Sequence, residues 1–273
     1  MNAFGPRLRA ALLAGRRTNV RGYGIVAPRR GDGYEFAELR SYMDGDDPRR
    51  IDWAATARAG ALQTRVMLED ATLVLAAVVD GSASMHLGRA TSNYAAGCAA
   101  ARVWYDAAID DDRCARIGLH ARTFPAVRGR AAAAVCAAVR DPIGTLPREA
   151  LRLTLVALPR GARLLLISDF YDLAILGDEL RACAERFDLT ALLAADPWRT
   201  GLPLRGFVRL RDAESGRAER LYVDARSRAR YREAVAAREK TVLATLRDIG
   251  ARVAVLDADA APESAIAAAF GLA

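Results

Sequence analysis

From Thr72 onward the chain alternates short, continuous apolar runs with longer stretches of helical period. Residues 73–80 are apolar up to a terminal Asp80, the pattern of a strand buried on both faces. Residues 93–109 predict a helix and residues 114–120 a strand. The alternation then repeats, with helices over 130–140 and 147–157, a second fully buried strand over 162–169, a helix over 174–187 and a strand over 189–194. Strands that are apolar throughout, rather than alternately in and out, belong to a parallel sheet covered by helices on both faces. Residues 203–224 break the rhythm. Two short strands there flank the turn formers Asp212, Glu214, Ser215 and Gly216, which predicts an inserted β-hairpin. A long helix over 227–249 carries Val235, Val242, Leu246 and Ile249 on one stripe and has Gly250 past its end. A closing strand over 251–256 and a last helix over 262–270 complete the pattern.

Residues 1–70 differ in kind, being rich in Gly and Arg and lacking a long apolar period. The expected organisation is an N-terminal accessory segment, 1–70, followed by a doubly wound, mainly parallel α/β domain, 71–273, that carries the hairpin. Near the start, Arg7 and Arg9 precede the short stretch 10–14, which is too brief for a secretory apolar region and predicts an amphipathic helix or a frayed end.

Composition narrows the function classes. No apolar run approaches the roughly 18 residues a membrane span needs, so no transmembrane segment is expected. Cys98, Cys114, Cys136 and Cys183 form no C-x-x-C pair, which argues against a zinc knuckle or disulfide framework and for buried thiols in a reducing cytoplasm. The formal net charge of +7 could suggest nucleic acid, but Lys240 is the single lysine and the arginines interleave with acids over 211–220 and 226–248. A solvated mixed surface is the expectation, and no nucleic-acid partner.

Chemistry concentrates where the first buried strand ends, in Asp80-Gly81-Ser82-Ala83-Ser84. In open parallel sheets ligands bind at the carboxyl ends of strands. An Asp followed at two and four residues by Ser gathers one carboxylate and two hydroxyls on a single turn, hard oxygen donors suited to Mg2+ or Mn2+. The second buried strand ends in Ser168-Asp169-Phe170 and brings another carboxylate to the same edge, while Gly144-Thr145 precedes a helix where a loop hydroxyl can join. Ser and Asp are also ordinary helix caps; position after a buried strand is what favours the metal reading.

Asp80, Ser82, Ser84, Thr145 and Asp169 match in order the metal-ion-dependent adhesion site of the von Willebrand factor A domain, which this chain resembles. The resemblance implies a doubly wound, von Willebrand factor A-like fold. It also implies one divalent cation, Mg2+ or Mn2+, on these five residues, its shell completed by an Asp or Glu of a partner protein. Upstream, Glu35-Phe36, Arg40, Tyr42, Gly45-Asp46-Asp47, Arg49, Ile51-Asp52-Trp53 and Ala57-Arg58 resemble the bacterial domain of unknown function family 58. That resemblance implies a partnership with a MoxR-type AAA+ ATPase in protein assembly or maturation. Leu146 departs from it, standing where members often have Asp.

Other features have plainer readings. Asp46, Asp47 and Asp52 are placed to pair with Arg49, Arg50 and Arg58 as a structural clasp. His86 is expected as a hydrogen-bonded loop residue, His120 at a strand end, and Trp53, Trp104 and Trp198 in core packing. There is no G-x-x-x-x-G-K-[ST] and no G-x-S-x-G, and position 82, two after Asp80, is Ser where an aspartyl-phosphate D-x-D needs Asp, so ATPase, aspartyl-phosphate and serine-hydrolase chemistry are not indicated. The expectation is a cytoplasmic, non-catalytic binding protein. The alternatives are a metal-dependent phosphoester hydrolase and arginine-mediated nucleic-acid binding.

Overall fold

The structure is a computed structural model and describes residues 3–14, 30–43, 48–68, 72–118, 122–144 and 147–272. The chain divides into two compact units, one of residues 17–72 and one of residues 1–16 with 73–273.

In the smaller unit, β1 (Arg30–Ser41) pairs antiparallel with β2 (Gln63–Leu68), and α2 (Trp53–Ala59) lies between them in sequence. Helix α2 starts at Asp52, whose carboxylate accepts from the Ala55 N–H at 2.9 Å, and stops at Gly60, whose φ of 68° only glycine adopts freely. Asp52 is therefore a helix cap, while Asp46 and Asp47 lie outside the described residues. Trp53 is 68% exposed, contrary to the expected core role, because it occupies the first turn of this short helix on its open side.

The larger unit opens with α1 (Phe4–Ala14), the helix expected at residues 10–14 but longer. Leu8 and Leu12 of α1 are fully buried in the core of this unit, so the helix belongs with the sheet and not with the accessory segment. The rest comprises β3 (Val74–Val79), α3 (Asn93–Tyr105), β4 (Arg113–Ile117), β5 (Arg122–Thr123), α4 (Gly129–Ala138), α5 (Pro147–Ala157), β6 (Arg163–Ser168) and α6 (Leu173–Arg186). After these come β7 (Asp188–Ala194), β8 (Gly206–Arg211), β9 (Ala218–Val223), α7 (Ala225–Asp248), β10 (Arg252–Leu256) and α8 (Pro262–Phe270).

Strand order is β10-β7-β6-β3-β4-β5, parallel except for the short edge strand β5. The architecture is mixed α/β with five parallel strands flanked by helices, and β8 and β9 form the expected hairpin as a sheet of their own. Alternate strand residues feed two separate cores, as the period of two demands. Leu75, Ala77, Val79, Leu165 and Ile167 face α1, α3, α4 and α8, whereas Ala76, Val78, Leu164 and Leu166 face α5, α6 and α7. The chain leaves β3 toward β4 on one side and returns to β6 on the other. The switch in direction therefore falls between β3 and β6, where such sheets open a crevice.

Close packing fixes that pair of strands. Gly97 of α3 lies so near them that a Cβ there would stand 3.0 Å from Val79 Cγ1 and 3.2 Å from Ile167 Cγ2. Gly97→Val is expected to destabilise the fold by about 1–3 kcal/mol through overpacking, measured by urea denaturation; an unchanged midpoint would show that α3 does not press on the strand ends.

Candidate metal centre

The Asp80 N–H donates to the Ile167 carbonyl at 2.8 Å, the last rung of the β3–β6 ladder before both chains turn away. Asp80 Oδ1 accepts from the Ser82 N–H at 2.8 Å and Oδ2 from the Ser168 hydroxyl at 2.6 Å. These bonds fold residues 80–82 into a tight turn that leads into the 3-10 turn Ala83–His86. The Ser82 and Ser84 hydroxyl oxygens stand 3.2 Å apart, and the Ser84 hydroxyl favours the ionised form of Asp169.

Beyond β6 the backbone is strained: Phe170 has φ of 54°, the single non-glycine residue with positive φ among the described residues. A buried Phe170 ring and a 2.9 Å bond from its N–H to Ser168 Oγ hold that conformation. Asp169 is thereby turned into the same cleft as Asp80, its Oδ1 accepting from the Tyr171 N–H at 3.1 Å. The cleft, of about 450 Å³, is lined by Asp80, Ser82, Ser84 and Asp169, with Tyr171, Trp198 and Tyr231 as walls.

Burial dominates the electrostatics. It pushes the Asp80 carboxyl up to about 6 against the opposing hydroxyl and N–H bonds, and the nearby Asp169 adds to the rise. Asp169 is raised by burial too, while the Ser84 hydroxyl and the Arg238 charge pull it down and Glu214 pushes it up. Arg238 itself donates to the Asp169 carbonyl at 2.6 Å and lies 3.8 Å above the Tyr171 ring.

Four of the five expected ligands, Asp80, Ser82, Ser84 and Asp169, thus line one cleft. Thr145 lies outside the described residues, but the Gly144 N–H before it donates to the Gly81 carbonyl at 2.8 Å, tying that loop to the Asp80 turn. The base of the loop is held by a fully buried ion pair, Arg116 to Asp141 at 2.9 Å, and by the Tyr94 hydroxyl, which donates to the Asp141 carbonyl at 3.2 Å. The Tyr94 ring stacks on His86 at 4.7 Å, so both loops rest on one aromatic pair. His86 Nε2 is buried without a hydrogen-bond partner among the described residues, so stacking holds it where hydrogen bonding was expected. His120 lies outside the described residues.

Two carboxylates and two facing hydroxyls are hard oxygen donors of low total charge, a set that fits Mg2+ or Mn2+. Among the described residues no three His, Cys, Asp or Glu side chains are grouped to cage an ion, so a cation here needs the hydroxyls. Sequence reasoning missed three contributors: Ser168, Glu214, whose Oε1 accepts from the Ser84 N–H at 2.8 Å, and the Arg116–Asp141–Tyr94 support. Ser168 was readable from its place beside Asp169, whereas Glu214 is 130 residues from Ser84 and gave no local signal.

Residues 38–241 match the family model described as "Protein of unknown function DUF58". The chain belongs to this family. Relatives include uncharacterised proteins of Mycobacterium tuberculosis and Mycobacterium bovis, each 33% identical over 241 residues, covering 84% of this chain and 76% of theirs. Among solved structures, the conserved hypothetical protein BatB from Bacteroides thetaiotaomicron aligns over 73% of this family member and 98% of its own chain, at 17% identity and TM-score 0.42. An aerotolerance-related membrane protein from Bacteroides fragilis aligns over 74% and 100%, at 13% identity and TM-score 0.40. In the present chain no described helix is long and apolar enough to cross a membrane.

Each step of one in pKa is worth about 1.4 kcal/mol, so keeping Asp80 ionised at pH 7 costs the metal-free fold roughly 3 kcal/mol. Its contribution to stability is complete below about pH 4 and is lost as pH rises through about 6. Without divalent cations, Asp80→Asn should therefore be more stable than wild type at pH 7 and no more stable at pH 4, read from paired urea titrations; an equal offset at both pH values would contradict the raised carboxyl. Asp141→Ala, by stranding Arg116, should cost about 3–5 kcal/mol in the same assay, and a loss below 1 kcal/mol would show that the pair does not anchor the loop.

Proposed function

We propose that this protein is a metal-dependent protein-interaction domain of von Willebrand factor A type, in which Asp80, Ser82, Ser84, Thr145 and Asp169 hold one Mg2+ or Mn2+. The observation that carries the reading is the meeting of two buried carboxylates and two facing hydroxyls at the carboxyl ends of adjacent strands. A hard cation offsets the cost of burying Asp80 and Asp169 together. With few charged donors the ion keeps electrophilic character, and it recruits an Asp or Glu of a partner protein.

The chain's own residues do the rest. Ser168 and the Ser82 N–H orient Asp80, the Ser84 hydroxyl meets that of Ser82 and favours an ionised Asp169, and the Tyr171 and Trp198 walls narrow the approach. The activity is binding, without turnover. A MoxR-type AAA+ ATPase is the partner that the family resemblance suggests, in assembly or maturation of other proteins. A cytoplasmic setting is part of the proposal, in keeping with four buried free cysteines whose thiols, at Cys114, Cys136 and Cys183, burial raises to about 12, 11 and 12.

Mg2+ or Mn2+ at about 100 times its dissociation constant should stabilise the protein by about 2.7 kcal/mol. Thermal melting with metal against EDTA checks this, with Asp80→Ala and Ser84→Ala losing the effect and a pulldown in Mg2+ losing its partner in EDTA. No metal-dependent shift at millimolar concentrations would sink the reading, and Asp80-dependent hydrolysis of phosphate esters would replace binding by catalysis.

A further inference from the structure

The β8–β9 hairpin ends in a turn built to present one side chain. Asp212 accepts from the Ser215 N–H and from the Ser215 hydroxyl, both at 2.6 Å, and its carbonyl accepts from the Gly216 N–H at 3.0 Å. Gly216 has φ of 69°, the conformation that closes such a turn. Held this way, Glu214 reaches across the cleft to the Ser84 N–H at 2.8 Å and lies close enough to Asp169 to disfavour its ionisation. A flexible, acidic side chain thus stands at the hydroxyl rim of the metal centre, in the stretch of space an approaching carboxylate has to cross.

The hairpin is suited to leaving. Among the described residues its strands pair with each other and with no strand of the main sheet, and Phe207 and Tyr222 on it are 88% and 61% exposed. We propose that Glu214 is a displaceable acidic cap: bonded to the Ser84 N–H, it holds the position that a partner's carboxylate must take, so the hairpin competes with the partner for the site. The inference rests on the metal-dependent binding reading above. Because a capped molecule cannot bind, apparent affinity for an outside carboxylate falls by the fraction of molecules that are open.

The test uses the full chain loaded with Mn2+ and glutarate as the probe, binding of glutarate being followed by the loss of metal-bound water in proton relaxation. If the capped form predominates about ten to one, Glu214→Ala should bind glutarate about tenfold more tightly than wild type. Glu214→Gln should fall between them, because it keeps an acceptor for Ser84 but loses the charge. Equal or weaker glutarate binding by Glu214→Ala, or none, overturns the cap. Failure of wild type to bind Mn2+ is a different result, which removes the metal centre and the cap with it.

Discussion

The parallel pairing of β3 with β6 is the constraint on which the rest depends. Their register, Val79 opposite Ile167, sets Asp80 level with Ser168 and one residue short of Asp169, so each strand is followed directly by an aspartate. A buried carboxylate is unfavourable by itself, and a second one nearby makes it more so. The fold meets that cost only in part, through the Ser168 hydroxyl, the Ser82 N–H and the hydroxyl of Ser84. What remains is the raised Asp80 pKa, which burial causes first and the neighbouring Asp169 increases.

Much of this was legible in the sequence because the main sheet is built from strands buried on both faces. Such strands leave a continuous apolar run, and 73–80 and 162–169 were placed to within a residue or two of Val74–Val79 and Arg163–Ser168. Helices over Pro147–Ala157 and Pro262–Phe270 fall where the proline starts predict them. The N-terminal region was less readable. Strand β1 mixes glycines and charges, and α1 is short and interrupted by Gly5, Pro6, Arg7 and Arg9, so its sequence did not signal that Leu8 and Leu12 would be fully buried. At the site, local spacing displayed Asp80, Ser82 and Ser84 together, and strand-end logic supplied Asp169. Contacts between distant segments, Glu214 to Ser84 and Arg116 to Asp141, have no period and no motif, and only the folded chain reveals them.

The two edges of the sheet treat their acids in opposite ways, and that contrast separates structure from chemistry. At the amino ends of the strands, Asp188 pairs with Arg163 and Arg252, and Asp112 with Arg9 while also accepting from the Leu73 N–H at 2.7 Å. Guanidinium charges balance those carboxylates and commit them to holding β6, β7, β10 and α1 in place. At the carboxyl ends, Asp80 is met by hydroxyl and amide donors instead. Arg238, the cation beside Asp169, directs its hydrogen bond to the backbone carbonyl. A neutral donor leaves a carboxylate its full charge and free lone pairs, so a divalent ion can still gain from approaching it. The strained Phe170 backbone makes the same point, since a conformation costing on the order of 1–3 kcal/mol is kept where it turns Asp169 toward Asp80.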